Sequence, residues 1–299
     1  MSKTFTVDKD YQGSRFDKWF KNKVIDLPHS LIEKLIRQNK VKVNKRKTKS
    51  SYRVQEGDIV NVYDITKFKP QKKTLLEKYK PKKKESGKYS DYIIENNNDF
   101  IIINKPEGIP VQSGTKSFKN LIDIMKDTKY FKNSKPFIVH RIDKETSGVL
   151  IIAKNRKYAQ LFTSLFRIRK IHKIYLAIVY GKISENIKIL KDNLIYFEKN
   201  KKTELNALSH IRVLKSNDLY SFVELKPVTG RKHQLRRQMY NIGHPILGDG
   251  KYFTNNIKRN KVKNLMLHAY KIKFIINNTK YDFKAEYSHN FQDFLKNNF

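Results

Sequence analysis

The sequence predicts an α+β protein built from two unequal parts joined by a lysine-rich segment. Helical spacing followed by short alternating runs indicates a small mixed module near the N-terminus. Residues 67–90 hold ten lysines and two acids. From residue 91 onward short β-rich runs dominate, which is typical of a larger, strand-rich domain. The predicted boundaries are therefore residues 1–66, 67–90 and 91–299.

The charge of the chain indicates a polyanionic partner. Its 299 residues carry a formal net charge of +36, yet 38% of them are hydrophobic, so a folded basic protein is expected rather than a disordered tail. Compositional drift toward lysine accounts for part of this magnitude but not for its sign. Arginine is the rarer cation, with 13 arginines against 51 lysines. Arg141 and the group Arg231, Arg236 and Arg237 therefore mark sites that need a planar, bidentate donor.

Composition also excludes several classes of protein. The chain has no cysteine, which excludes a disulfide scaffold, a cysteine-based metal site and a thiol nucleophile. No apolar run approaches the roughly 18 residues that span a bilayer, and the N-terminal residues lack the apolar stretch of a signal peptide. We expect a soluble, cytoplasmic, monomeric protein with no membrane partner. Without a glycine-rich nucleotide loop or a ligand cluster, we expect no cofactor and no metal.

The N-terminal module begins with two predicted helices. Phe16, Trp19 and Phe20 have helical spacing behind a Ser14-x-x-Asp17 cap pattern. A Ser30-x-x-Glu33 capping box predicts the start of a second helix. Its apolar face comprises Leu31, Ile32, Leu35 and Ile36.

Short strands complete this module, and its order of elements resembles a known RNA-binding domain. Residues 41–43 and 59–62 read as strands, and residues 14–62 hold 13 cations against five acids. Residues 35–44 and the closing Glu56-Gly57-Asp58 resemble the S4 domain, although a small αβ domain with a solvated basic face has the same composition. The resemblance implies a small S4 (αL-type) fold. It also implies RNA contacts from basic residues of this module: Arg15, Lys34, Arg37, Lys42 and Lys45.

The lysine-rich residues 67–90 are predicted to form a linker. Like charges along such a stretch repel one another, which prevents close packing. Two roles remain open for it, a soluble tether and a nonspecific contact with phosphates.

The larger domain is predicted to contain strands and two helices. Strand-like runs cover residues 99–104, 149–153, 174–179 and 222–225. One helix is predicted after Asn155, with Leu161, Phe162, Leu165 and Phe166 facing the core. A second is predicted from Arg231 to Ile242, ending at Gly243.

Asp143 is the candidate reactive residue. It lies between Arg141 and Lys144 in a polar turn that precedes a buried strand. Neighbouring cations favour an ionised carboxylate, which can act as a nucleophile or a base. From the residues alone, a turn-capping aspartate with an ion pair is the favoured interpretation, because such aspartates are common.

The segment that contains Asp143 resembles the central motif of the RluA-type pseudouridine synthases. Residues 140–154 carry Arg141, Asp143, Thr146, Ser147 and Gly148 in the order of that motif. Other family-like segments occur in family order and cover residues 104–108, 173–181, 229–236 and 244–249. The resemblance implies a mixed, mainly antiparallel, bent sheet with the active cleft between its halves.

The resemblance also implies a function and a role for each site residue. Such enzymes isomerise a flipped-out uridine of RNA, and an S4 domain is typical of members that act on large-subunit (23S) ribosomal RNA. Asp143 would be catalytic, while substrate-binding roles fall to Arg141, Tyr175, Leu235 and Arg236. Arg236 would pair with Asp143, Tyr175 would stack on uracil and Leu235 would close the apolar wall.

The sequence alone also leaves purely structural roles for these residues, and other functions, open. Tyr175 and Leu235 fit ordinary core positions, and Arg236 fits a surface phosphate contact. His140 and His233 are interpreted as structural or RNA-contacting.

Asp143 can attack C1′, add to the uracil ring or abstract a sugar proton. A noncatalytic RNA-binding or ribosome-assembly protein and an RNA glycosylase are the alternative functions.

Overall fold

The structure, a computed structural model, describes residues 2–65, 87, 89–113, 119–198, 201–253 and 262–299. Apart from residues 87, 89 and 90, the predicted linker lies outside the described residues. The chain divides into two compact units, Met1–Lys78 and Tyr79–Phe299. None of the helices in the described ranges is both long enough and apolar enough to cross a bilayer.

The first unit combines two helices with a four-stranded sheet. Its elements are β1 (Ser2–Thr6), α1 (Phe16–Lys23), α2 (His29–Arg37), β2 (Val41–Val43), β3 (Arg46–Lys47) and β4 (Ile59–Tyr63). The strand order is β1-β4-β2-β3. Phe16, Trp19 and Phe20 are fully buried in the core of this unit, as their spacing predicted.

The structure differs from the sequence prediction at three places in this unit. Strand β1 was not predicted, because its side chains are almost all exposed and give no alternating apolar signal. It is held by antiparallel pairing with β4 along its whole length. Both predicted helix caps are wrong: Arg15 and Pro28 occupy the N-cap positions, and neither of these two residues makes a side-chain cap hydrogen bond.

The second unit is a large sheet with helices on its faces. Its strands are β5 (Ile93–Asn96), β6 (Phe100–Lys105), β7 (Phe137–Ile138), β8 (Ser147–Ala153), β9 (His172–Tyr180), β10 (Ile189–Glu198), β11 (Lys201–Ser216), β12 (Tyr220–Pro227), β13 (Leu267–Ile276) and β14 (Thr279–Lys284). Its helices are α3 (Leu121–Lys126), α4 (Arg156–Arg167), α5 (Gln234–Asn241) and α6 (His289–Asn298). All four predicted strand runs lie within observed strands, apart from Asp99, which precedes β6.

The sheet is mixed and mainly antiparallel, which confirms the predicted α+β class. Its order is β10-β11-β12-β9-β13-β8-β6-β5, with β14 paired to β13 and β7 paired to β8. Only β13 and β8 pair in parallel among the described strands. Helix α4 begins as predicted, because the Asn155 side chain accepts a hydrogen bond from the Tyr158 N–H.

Strands β6 and β8 are buried on both faces. Ile101, Ile103, Leu150 and Ile152 pack on one face with α3, while Phe100, Ile102, Val149 and Ile151 pack on the other with α4. This double burial explains the continuous apolar runs in their sequences. Strand β8 is therefore a rigid support for the loop that precedes it, residues 139–146.

Gly148, at the start of β8, is expected to be intolerant of a side chain. Its φ is +109°, and an added Cβ would lie 2.2 Å from the Ala269 carbonyl oxygen. We expect Gly148→Ala to lower the free energy of unfolding by about 3 kcal/mol, because backbone strain and overlap both contribute. Gly243→Ala is the control, since Gly243 has a φ of +80° but open space around it, and it should cost about 1 kcal/mol. Equal losses in urea unfolding would contradict the role of the close approach.

His268, in β13, makes the fold sensitive to acid. The buried ring donates from Nε2 to the Ala285 carbonyl at 3.2 Å, so Nδ1 accepts from the Ser147 hydroxyl at 2.8 Å. Burial lowers the pKa of His268 from 6.5 to about 4. Between these values the unfolded chain binds the proton and the folded chain does not, so stability is lost as the pH falls.

We expect His268 to remove about 3 kcal/mol of stability as the pH falls from 6.5 to 4. Urea unfolding at several pH values measures this loss. The matched variant His268→Gln should have a smaller slope of stability against pH in that window. An unchanged slope in the variant would assign the acid sensitivity to other groups.

Candidate active site

Asp143 lies in a loop that is held in place by hydrogen bonds from a buried lysine. Lys105, at the end of β6, is fully buried, and its Nζ donates to the carbonyls of Pro106, Ile109 and Lys144 at 2.8, 3.0 and 3.2 Å. The Gly108 N–H also donates to the Lys144 carbonyl, at 2.9 Å. The residue that follows Asp143 is thus held by two hydrogen bonds from the 105–109 turn.

Burial makes Lys105 a weak base. Its pKa is lowered from 10.5 to about 7, since burial outweighs the opposing influence of the nearby carboxylates Glu107, Glu145 and Asp143. Its three carbonyl acceptors match the three N–H donors of an ammonium group. Lys105 therefore has a positioning role in the loop and does not line the cavity described below.

The Asp143 carboxylate is half-buried between a guanidinium and an imidazole. Its Oδ2 lies 3.5 Å from Nη1 of Arg236, and its Oδ1 lies 3.8 Å from Nε2 of His233. Arg236 Nη1 is also 3.6 Å from the Glu145 carboxylate. These distances place a guanidinium and an imidazole beside the Asp143 carboxylate.

Arg236 is held mainly by a second carboxylate that sequence reasoning missed. Its Nε and Nη2 donate to the two oxygens of Asp249, each at 2.7 Å. The Asp249 side chain is fully buried and also accepts from the N–H groups of Lys251 and Tyr252. Although burial opposes it, these hydrogen bonds keep the pKa of Asp249 below its usual value. This bidentate ion pair between Arg236 and Asp249 directs the remaining guanidinium nitrogen, Nη1, at Asp143.

His233 sets the start of α5 and faces Asp143. Its φ of +52° is left-handed, so the helix begins at Gln234 and not at the predicted Arg231. Its Nδ1 lies 3.0 Å from the Tyr252 hydroxyl. Burial lowers the pKa of His233 despite the opposing charge of Asp143, which favours a neutral ring beside the carboxylate.

A buried amide anchors the loop before α5. Gln234 accepts from the Thr229 hydroxyl at 2.7 Å and from the Arg231 N–H at 3.0 Å. Its Nε2 donates to the Leu208 carbonyl and to the Ser209 hydroxyl on β11. Residues 229–234 are thereby fixed against the sheet.

A cavity of about 610 Å³ opens beside Asp143. Its lining brings together all five of the predicted site residues of the larger domain: Arg141, Asp143, Tyr175, Leu235 and Arg236. Tyr175 comes from β9 and Leu235 from α5, and both also pack against core side chains. Each of the two residues therefore belongs to the core and also lines the cavity. Arg141 is exposed, and no hydrogen bond joins its guanidinium to the described part of the chain.

The walls of this cavity suit a base stacked on a neutral aromatic ring. Burial, with a contribution from the Asp143 charge, raises the pKa of Tyr175, so its phenol stays protonated. A second, smaller cavity of about 380 Å³ shares the lining residues Arg141, Asp143, His233 and Arg236 with the first. Asp143 therefore stands at the junction of two open spaces. No group of three or more potential metal ligands occurs in the described ranges.

The basic residues predicted in the first unit are mostly on its surface. Lys34, Arg37 and Lys45 are exposed, and Lys42 is half-buried. The Arg15 guanidinium donates to the Asp17 carboxylate through Nε at 3.1 Å and Nη2 at 2.6 Å. The Arg15 guanidinium is therefore already paired with the Asp17 carboxylate.

Sequence reasoning missed residues whose partners are distant in the chain. Asp249, Lys105 and Gln234 are fully or almost fully buried polar side chains. Each lies in or beside a segment that the family resemblance had already singled out, which was the available signal. Their partners became visible only once the sheet and α5 had brought those segments together.

Comparison with known proteins assigns the chain to a family. Residues 99–241 match the family model described as RNA pseudouridylate synthase, and residues 14–60 match that of the S4 domain. Ribosomal large subunit pseudouridine synthase C of Rickettsia conorii (strain ATCC VR-613 / Malish 7) is 36% identical over 273 residues, which cover 86% of this chain and 88% of that protein. The chain therefore belongs to the RNA pseudouridylate synthase family and is an RNA pseudouridine synthase with an S4 domain.

Other relatives agree with this assignment, and one solved structure shares the fold. The synthase C of Buchnera aphidicola subsp. Schizaphis graminum is 32% identical and covers 90% of this chain and 88% of its own length. The synthase C of Vibrio vulnificus (strain CMCP6) is 29% identical with nearly the same coverage. Human RNA Pseudouridylate Synthase Domain Containing 4 has the same fold, with a TM-score of 0.60 at 24% identity over 71% of this chain and 94% of that one.

Proposed function

We propose that this protein converts specific uridines of large-subunit (23S) ribosomal RNA to pseudouridine. The observation that carries the proposal is the half-buried Asp143, which faces a nucleotide-sized cavity between Tyr175, Leu235 and Arg236. The relatives named large-subunit pseudouridine synthase C support this choice of RNA.

The reaction is an isomerisation within one nucleotide. The N1–C1′ bond of uridine breaks, a C5–C1′ bond forms, and the proton lost from C5 is balanced by one gained at N1. A stacked base cannot turn, so the uridine is extruded into the cavity at a cost of a few kcal/mol. Asp143 is the catalytic carboxylate, and Arg236 orients it and favours its charged form.

The remaining site residues hold the extruded nucleotide. Stacking on Tyr175 is worth roughly 1–3 kcal/mol. Leu235 forms the apolar wall, and the exposed Arg141 holds the backbone in its flipped conformation. In this scheme residues 1–66 bind RNA through Lys34, Arg37, Lys42, Lys45 and Arg15, residues 67–90 tether the two parts, and residues 91–299 catalyse. The enzyme acts as a cytoplasmic monomer.

Mapping of pseudouridine in defined RNAs tests this proposal. The purified protein is incubated with transcripts of large-subunit rRNA, small-subunit rRNA and tRNA, and each is mapped chemically at nucleotide resolution. We expect modification at few uridines, all in the large-subunit transcript. Modification confined to another RNA would refute the proposed substrate, while free uracil without isomerised nucleotide would favour a glycosylase.

A further inference from the structure

Lys173 is a partly buried cation of the active cavity that no step above uses. It lies two residues before Tyr175 on β9, and both side chains line the cavity. The Lys173 side chain is half-buried, and no hydrogen bond or ion pair joins it to any residue of the described ranges. Burial lowers its pKa, with no carboxylate in the described surroundings to offset the effect.

An uncompensated ammonium in such a place destabilises the free enzyme. Burying a charge without a partner costs free energy, and native proteins normally pair such groups. The rest of the cavity increases the imbalance of charge. Besides Arg236, which is paired with Asp249, its lining carries the five further cations Arg141, Arg167, Arg169, Arg231 and Lys232. Asp143 is the single carboxylate among the described residues that line it. The cavity therefore favours an anion, and the substrate can supply it.

The position of Lys173 identifies that anion. Residues i and i+2 of a strand point to the same face and lie roughly 7 Å apart. That spacing is of the same order as the distance between a nucleotide base and its own phosphate. With uracil stacked on Tyr175, Lys173 comes to lie beside the phosphodiester of the same nucleotide or its neighbour. A Cβ built on Gly230 would lie 3.9 Å from Lys173 Nζ, so the 229–231 turn is close to the ammonium without crowding it.

We propose that Lys173 forms a phosphate-binding subsite inside the active cavity, for a phosphodiester that flanks the extruded uridine. This rests on the proposed extrusion of uridine into the cavity, but not on which RNA carries it. The charge of Lys173 is offset only when the backbone enters with the flipped nucleotide. The subsite thus favours the flipped state over the stacked state of the same RNA.

A charge-deletion cycle between protein and RNA tests the subsite. Lys173→Met removes the protein charge at similar length, and a methylphosphonate removes the charge of one RNA linkage. Oligonucleotides that contain a mapped reactive uridine carry this linkage on its 5′ or its 3′ side. We expect Lys173→Met to weaken binding about tenfold, and one of the two neutral linkages to weaken binding to the wild type equally. The doubly altered pair should bind no more weakly than either single change.

Two controls keep this test decisive. Lys182→Met alters an exposed lysine that follows the C-terminal end of β9 and does not line the cavity. Any loss of affinity that it causes should therefore multiply with the loss caused by each neutral linkage. Removal of an unpaired, partly buried charge should leave the melting temperature of Lys173→Met unchanged or higher, whereas loss of a structural lysine lowers it.

The subsite is overturned if the loss of affinity caused by Lys173→Met multiplies with the loss caused by each of the two neutral linkages. It is also overturned if Lys173→Met lowers the melting temperature and leaves the affinity unchanged. The oligonucleotide is taken from whichever RNA the enzyme modifies. The cycle therefore tests the subsite even if the large-subunit assignment fails.

Discussion

Asp143→Asn is expected to abolish pseudouridine formation while leaving the fold and RNA binding intact. The amide has the size and shape of the carboxylate but neither its charge nor its basicity, which nucleophilic and general-base roles both require. Single-turnover rates on a transcript that the wild type modifies should fall by at least roughly 10³-fold. The affinity for the transcript should change little, because phosphate contacts generally dominate the affinity of proteins for nucleic acids.

Glu145→Gln is the matched control for this substitution. Glu145 is two residues away in the same loop, is half-exposed, and lies 3.6 Å from the same Arg236 nitrogen. Its neutralisation removes a comparable charge near Arg236 but leaves the carboxylate that faces the larger cavity. We expect a rate within about threefold of the wild type, since exposed ion pairs contribute little. Equal losses in both variants would assign the effect to the charge of the loop and not to Asp143.

Local patterns predicted the strands and helices well where burial dictates the sequence. The runs in β6 and β8 are apolar throughout because both faces of these strands are buried. Asn155 was a correct helix start because its side chain does accept a hydrogen bond from the helix. The Ser30 capping box failed because Pro28 already occupies the N-cap position and the helix begins at His29. A cap pattern is a local possibility that backbone geometry can override.

The candidate site was harder to predict, because its geometry depends on contacts between distant segments. The family motifs nominated Asp143 and Arg236, which do lie close together. They did not reveal that Arg236 gives two of its donors to Asp249 and only a longer contact to Asp143. Nor did they distinguish Lys173 from the many other lysines, since its lack of a partner among the described residues is a property of the folded cavity. Charge composition predicts a basic surface, whereas an unpaired charge is visible only in three dimensions.

Asp249→Asn is expected to cause the largest loss of stability among single substitutions at this site. Asp249 and Arg236 are both almost completely buried, and the neutral amide would leave the guanidinium without its bidentate acceptor. Breaking a buried ion pair from one side costs roughly 3–5 kcal/mol, because the remaining charge is uncompensated. Urea unfolding should show this loss. The rate should fall as well, since Arg236 would no longer be held in position against Asp143.

A surface pair provides the control, and a double substitution separates stability from chemistry. Asp282→Asn disrupts the ion pairs of Asp282 with Lys271 and Lys273, at 3.0 and 3.3 Å, but Asp282 is half-exposed and the loss should stay below about 1 kcal/mol. Arg236→Met combined with Asp249→Leu replaces the buried pair by apolar groups and should recover most of the lost stability. Its rate should nevertheless remain low, because no guanidinium then orients Asp143. A double variant as active as the wild type would show that Arg236 serves only to neutralise Asp249, and that His233 and the loop held by Lys105 suffice to orient the Asp143 carboxylate.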